Sequence, residues 1–300
     1  MASTAYSRTL TQRHLFCFGL GYSAAVLARR VLAEGWRVSG TCRDPRKAEA
    51  LRREGVAVHG FDTARPLQDM EALAGVTHLL SSVPPDGTGD PAIAAHGDDI
   101  VRLGGGLQWI GYLSTTGVYG DQQGRWIDER CPPQPISEGS RQRLVAENQW
   151  LALGQRLGIP AHVFRLPGIY GPGGRSQIDA LKAGRAHRIV KPGQVFNRIH
   201  VEDLAGVLLA SMHARAGAPI YNVADDEPAP ADEVVVHAAR LLGIAPPPEI
   251  AFEAADMPPF AAHFYAECKR IRNTLIKEEL GVTLRYPTYR EGFAAIASSS

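Results

Sequence analysis

Six residues near the start of the chain, Gly19-Leu20-Gly21-Tyr22-Ser23-Ala24, have the spacing G-x-G-x-x-A. Each small residue matters at that spacing. Gly19 allows a tight turn, Gly21 lets a phosphate approach bare backbone, and Ala24 lets the next helix pack close to the preceding strand. A helix starting there offers free N–H groups and the positive end of its dipole. The chemistry is pyrophosphate binding, as in a dinucleotide. The residues after the next strand choose which dinucleotide. An acidic side chain would hold a ribose 2′-hydroxyl. The chain instead has Thr41-Cys42-Arg43-Asp44-Pro45-Arg46-Lys47, in which Arg43, supported by Arg46 or Lys47, can pair with a 2′-phosphate. That favours NADP, with NAD as the alternative. Asp62, expected to end the third strand, could accept from the adenine amino group or serve a turn. Ser81 and Ser82 end the fourth strand and are placed to line the nicotinamide ribose.

The elements that must position these residues alternate. Leu15-Phe16-Cys17-Phe18 is an apolar run that ends in the glycine turn. Leu20, Ala24, Leu27, Ala28 and Val31 then recur at helical spacing, with Gly35 as a stop. Trp36, Val38, Gly40 and Cys42 form one face of a second strand. Asp44-Pro45 starts a helix that Gly55 closes. Further strands are expected from Val56 to near Asp62, from Val76 to Val83, and from Trp109 to Ser114. A long helix is expected from Val201 to about Ala214, followed by a strand at Ile220–Val223. Strands alternating with helices imply right-handed crossovers. The fold class is α/β, a doubly wound parallel Rossmann sheet with a smaller C-terminal substrate lobe. The expected division is 12–166 with 198–224 for the NADP-binding domain, and 167–197 with 225–300 for the substrate lobe.

Composition bounds the function. The chain has 300 residues, 45% of them apolar, with 32 basic and 31 acidic side chains for a formal charge of +1. That balance argues against nucleic acid as a partner. The four cysteines, Cys17, Cys42, Cys131 and Cys268, form no Cys-x-x-Cys pair, so neither a zinc ribbon nor a disulfide scaffold is expected. No apolar run reaches the ~18 residues that span a bilayer, and Met1–His14 has no signal-like apolar stretch. The expected setting is the cytoplasm, away from membranes. Ser298–Ser300 is read as a frayed end. Asp86 to Pro91 is read as a loop near the cofactor, not a metal site. Asp225-Asp226-Glu227 is read as a solvated helix start.

The glycine turn, Leu113-Ser114-Thr115-Thr116-Gly117-Val118-Tyr119-Gly120 and Ile199-His200-Val201-Glu202-Asp203-Leu204-Ala205 together resemble the extended short-chain dehydrogenase/reductases. The epimerase/dehydratase branch is the nearest comparison, and Arg165 to Pro172 is similar to its linker between sheet and substrate lobe. The resemblance runs from about Leu15 to at least Gly281. It implies a bound nicotinamide cofactor and a small-molecule substrate, a nucleotide-linked one among the candidates. It also implies a homodimer through the helices that include Arg143–Leu157. In that family a hydroxyl residue, a Tyr and a Lys cooperate, the last two spaced Tyr-x-x-x-Lys. The hydroxyl residue maps onto Thr115. Counting back from Glu147, the Lys position holds Arg143 and the Tyr position holds Gly139. Glycine cannot supply a proton, whereas Arg143 keeps its charge and can bind ribose hydroxyls.

This departure resembles the atypical members, whose cofactor site is kept and whose acid/base pair is altered. Glu138 flanks the vacant position and is a candidate base if partly buried, although a solvated loop residue reads better. Tyr119 reads as packing and His200 as a structural hydrogen bond. His187, Arg188 and Lys191 could meet an anionic substrate or form an ordinary surface loop. Two functions follow. One is an NADP(H)-dependent oxidoreductase or epimerase acting on a hydroxyl or carbonyl. The other is a non-catalytic NADP-binding redox sensor or scaffold.

Overall fold

The computed structural model describes residues 12–214, 217–258, 262 and 264–299. The readings made on Met1–Thr11 and on Ser300 lie outside them. In chain order the first elements are β1 (His14–Phe18), α1 (Tyr22–Ala33), β2 (Arg37–Thr41), α2 (Pro45–Arg53), β3 (Ala57–His59), β4 (His78–Ser81) and α3 (Pro91–Arg102). Next come β5 (Trp109–Thr115), β6 (Trp126–Ile127), α4 (Glu138–Leu157), β7 (Ala161–Leu166), β8 (Gly168–Tyr170), α5 (Gln177–Lys182) and β9 (Arg188–Val190). The chain continues through β10 (Arg198–His200), α6 (Val201–His213), β11 (Ile220–Asn222), α7 (Ala231–Leu241), β12 (Glu249–Ala251) and β13 (Arg270–Ile271). Two further helices, Thr274–Glu278 and Tyr289–Ser298, follow.

Seven strands form one parallel sheet in the order β3-β2-β1-β4-β5-β7-β11. The order reverses between β1 and β4. Ligands of such sheets bind in the crevice at the carboxyl ends there. Both faces are covered, which is why every residue of β1 is buried and Leu15–Phe18 is continuously apolar. One face packs Leu27 and Val31 of α1 against Leu204 and Leu208 of α6. The other packs Ile100 of α3 and Trp150 and Leu153 of α4 against Phe16 and Leu79. Gly40 permits the close passage of β2, since a Cβ there would lie 2.4 Å from the Cys17 carbonyl oxygen.

The remaining strands pair in twos: β8 with β10, β9 with β12, and β6 with β13. Tyr170, Ile178, Val234, Tyr289 and Phe293 form a separate apolar cluster. Ile276, from the short helix after β13, belongs to the cluster of α1 and α6.

Three local expectations change. The third strand stops at His59, because Asp62 folds the next residues into a turn, accepting from the N–H groups of Ala64 and Arg65 at 2.9 Å each. Asp225-Asp226-Glu227 starts no helix. Asp225 is buried, and α7 begins only at Ala231, after Pro230. The last helix runs to Ser298, whose hydroxyl donates to the Ala295 carbonyl.

Candidate functional site

The glycine turn sits at the carboxyl end of β1. Gly19 takes φ +84, a left-handed conformation that favours glycine. Its N–H donates to Thr41 Oγ1 at 2.8 Å, and Leu20 N–H donates to the Thr41 carbonyl at 2.7 Å. The turn is thereby tied to the end of β2. On its other side Ser82 Oγ donates to the Gly19 carbonyl. Helix α1 starts from Gly21 with no side-chain cap and no acidic residue in its first turn. Its first N–H groups are left for a ligand. A Cβ at Gly21 would have Ser82 Oγ at 3.9 Å as its nearest neighbour, so space lies directly over that backbone.

That space is a cavity of about 330 Å³ walled by Gly19, Leu20, Gly21, Arg43, Asp62 and Ser82, among others. Arg43 is exposed on the wall and has no hydrogen bond or ion pair among the described residues. A neighbouring cavity of about 390 Å³ shares Arg43 and Asp62 and adds His59 and Arg65. Asp44 Oδ1 is occupied as the cap of α2, accepting from Arg46 and Lys47 N–H. Lys47 also lines the first cavity, and burial lowers its pKa.

Pro84 belongs to the walls of both the first cavity and a larger one of about 620 Å³. The larger cavity is lined by Thr115, Gly139, Arg143, Arg175 and Lys269, among others. Thr115 ends β5, and its Oγ1 accepts from Gly117 N–H at 3.1 Å, which leaves its own hydrogen to donate elsewhere. Arg143 comes from α4. Its Nη1 donates to the Leu113 carbonyl at 2.8 Å and to the Tyr112 hydroxyl at 3.2 Å. One nitrogen is thus anchored to β5, and Nε and Nη2 remain for a ligand. A Cβ at Gly139 would meet nothing within 4 Å.

Helix α4 is held in place by a buried ion pair. Glu147 accepts from Arg165 Nη2 of β7 at 2.7 Å and from Ser114 Oγ of β5. Both charged side chains are at most 2% exposed. That pair, with the hydroxyl of Ser114, locks the helix bearing Arg143 against two strands.

Several expected site residues stand elsewhere. Ser81 is fully buried and donates to Asp90 Oδ2 at 2.8 Å, so it braces the start of α3 and lines no ribose. Strand alternation explains the difference, since Ser82 faces the turn and Ser81 the core. Glu138 is exposed and pairs with Arg141 at 3.0 Å, away from the cavity wall, so it is not placed as a base. Ser23 and Ala24 are buried beneath the turn, where they allow close packing. Asp62 lines the cavity while serving the turn. Tyr22 donates its hydroxyl to the Pro172 carbonyl at 2.8 Å. His200 caps α6, its Nδ1 accepting from Glu202 N–H at 3.2 Å, and burial holds its pKa near 4. Tyr119 is buried, donating to Asn222 Oδ1 at 2.8 Å. Arg188 pairs with Glu249, and Lys191 donates to the Tyr265 carbonyl.

Two wall residues were missed by sequence reasoning. Lys269 is buried, donates to the Gly120 carbonyl at 2.7 Å and pairs with Glu267 at 2.5 Å. Arg175 carries no motif either. Both come from segments distant in sequence, and the pairing of β13 with β6, with Asn197 Nδ2 donating to the Lys269 carbonyl, brings Lys269 to the site. Among the described residues no cluster of three or more His, Cys, Asp or Glu could hold a metal. No described helix is long and apolar enough to cross a membrane.

The chain resembles known proteins along most of its length. The profile of the NAD dependent epimerase/dehydratase family matches residues 101–224. A solved structure of a functionally unknown conserved protein from Silicibacter pomeroyi DSS is 48% identical, with TM-score 0.86 over 96% of this chain and 99% of that one. Protein YeeZ of Escherichia coli (strain K12) is 28% identical over 76% of this chain and 84% of its own. The 3-diazoavenalumate denitrifying reductase of a Streptomyces species is 29% identical over 87% of this chain and 92% of its own.

Proposed function

We propose, because the chain belongs to the NAD dependent epimerase/dehydratase family, that it binds NADP(H) and exchanges a hydride with a small carbonyl or hydroxyl compound. The observation carrying this is Arg43, without a partner among the described residues, on the wall of a cavity that also holds the bare Gly19–Gly21 turn. The residues fit the cofactor. The α1 N–H groups would hold the pyrophosphate and Arg43 the 2′-phosphate, with room beside Arg43 toward Arg65. The name of the reductase relative agrees with hydride chemistry.

When bound, the cofactor supplies or accepts the hydride. The chain's own residues do the rest. Arg143 would orient ribose hydroxyls through Nε and Nη2 while its Nη1 stays on β5. Thr115 would donate its free hydrogen to the substrate oxygen and polarise the carbonyl. The proton that reaches this oxygen must come from another group than a Tyr at position 139. Lys269 is a proton-bearing side chain on the same wall, and Ser137 and Ser140 are others.

Gly139 favours a second reading. With no Tyr there, the chain could use NADP to order its lobes without turnover, as a redox sensor or scaffold. Deuteride transfer from 4-deuterated NADPH to a panel of aldehydes and ketones separates the two. Stereospecific label in any product supports the enzyme, and bound NADPH with no label transferred supports the sensor.

A further inference from the structure

Arg175 is a cation set beside the positive end of a helix. Its guanidinium carbon lies 4.9 Å from the centre of the Tyr22 ring, and Tyr22 is the first residue of α1. A cation and a helix N-terminus repel unless an anion lies with them. Two carboxylates, Asp179 and Glu202, are close enough to act on Tyr22, but Glu202 is paired with Arg30 and Asp179 accepts from Ser176 Oγ. The first turn of α1 has no acidic residue, Gly21 gives no side-chain cap, and Arg175 has no ion pair among the described residues.

The segment that carries Arg175 is shaped to hold it. Gly171 and Arg175 bridge antiparallel across a turn in which Gly173 and Gly174 take φ 90 and 86. The Tyr22 hydroxyl fastens this turn through Pro172, and a Cβ at Gly171 would lie 2.6 Å from that hydroxyl. Arg175 lines the larger cavity, and its charge is also felt by Lys47 on the wall of the smaller one. It stands in the larger cavity beside the first residue of α1.

We propose that Arg175 is the counter-charge of the dinucleotide pyrophosphate, supplied from the segment after β8, so that a dinucleotide fastens residues 171–175 onto α1. This rests on the NADP(H) reading above. The helix end binds one side of the pyrophosphate and the guanidinium the other. A nucleotide without the pyrophosphate leaves Arg175 unengaged.

Calorimetric titration of wild type, Arg175→Met and Arg175→Lys with NADPH and with adenosine 2′-monophosphate tests this. Arg175→Met should weaken NADPH roughly tenfold, the loss of one charge-assisted contact, and Arg175→Lys less. Binding of adenosine 2′-monophosphate should stay within about twofold in both variants, because it has no pyrophosphate for the guanidinium to meet. The salt dependence of NADPH binding should become shallower in Arg175→Met. Arg175 is exposed, so the ligand-free variants should melt with wild type. Unchanged NADPH affinity in Arg175→Met would overturn the proposal, as would an equal loss for both ligands. Wild type that binds neither nucleotide would remove the NADP(H) reading itself.

Discussion

Ser82 Oγ donates to the Gly19 carbonyl and joins the residue after β4 to the glycine turn after β1. These are the neighbouring strands at which the sheet order reverses. The hydroxyl sets the turn before any ligand arrives. Ser82→Ala should therefore weaken NADPH by several-fold and lower stability by about 1 kcal/mol, the net worth of one hydrogen bond. Nucleotide titration and urea unfolding check the two parts. A variant that keeps wild-type affinity would show that the turn needs no brace.

On the proposed reading Arg43 selects NADPH over NADH. Arg43→Ala should weaken NADPH by roughly 10- to 100-fold, the range of a lost charge-assisted contact, and leave NADH unchanged. Paired titrations read this directly. Equal effects on both nucleotides would mean that Arg43 touches something other than the 2′-phosphate.

Thr115 separates binding from chemistry. Thr115→Val keeps the shape and removes the hydroxyl. Hydride transfer to a carbonyl substrate should fall by roughly 100-fold, as for other lost polarising donors. The Kd for NADPH should not move if the hydroxyl serves the substrate oxygen, as proposed. Single-turnover oxidation of bound NADPH measures the first quantity. An unchanged rate would remove Thr115 from the reaction.

Much of this was legible in the chain. The glycine spacing, the apolar run of β1 and the Asp44-Pro45 start of α2 are local signals, and local signals survive folding. The larger cavity was not legible, because Arg175 and Lys269 reach it through long-range contacts that no spacing records. Ser81 and Ser82 show the limit of resolution. Sequence places both at a strand end, and only the register decides that Ser82 meets the turn while Ser81 meets Asp90. Asp225 shows another, since an acidic run reads as solvated until the fold closes over one member of it.

Asp225 also gives a pH prediction. Burial raises its pKa to about 8, against the opposing pull of Arg198. An unfolded Asp ionises near pH 4, at about 3.9. Between that pH and 8 the folded chain holds a proton that the unfolded chain has lost, so stability falls as pH rises through this window. The slope from this group is about 1 kcal/mol per pH unit. His14, His78 and His200, lowered to about 4 chiefly by burial, act with opposite sign. They remove stability as pH falls from about 6.5 toward 4. Asp225→Asn should flatten the alkaline fall and leave the acid fall. Urea unfolding from pH 5 to 9 tests this, and parallel curves for wild type and variant would contradict it.

The proposed NADP(H) site rests on the glycine turn and Arg43 acting together. The most direct test is a fluorescence titration of the wild-type protein with NADPH and with NADH at one ionic strength. NADPH should bind saturably and at least about tenfold tighter than NADH, the difference one 2′-phosphate contact makes. Absence of binding by either nucleotide would contradict the proposed site.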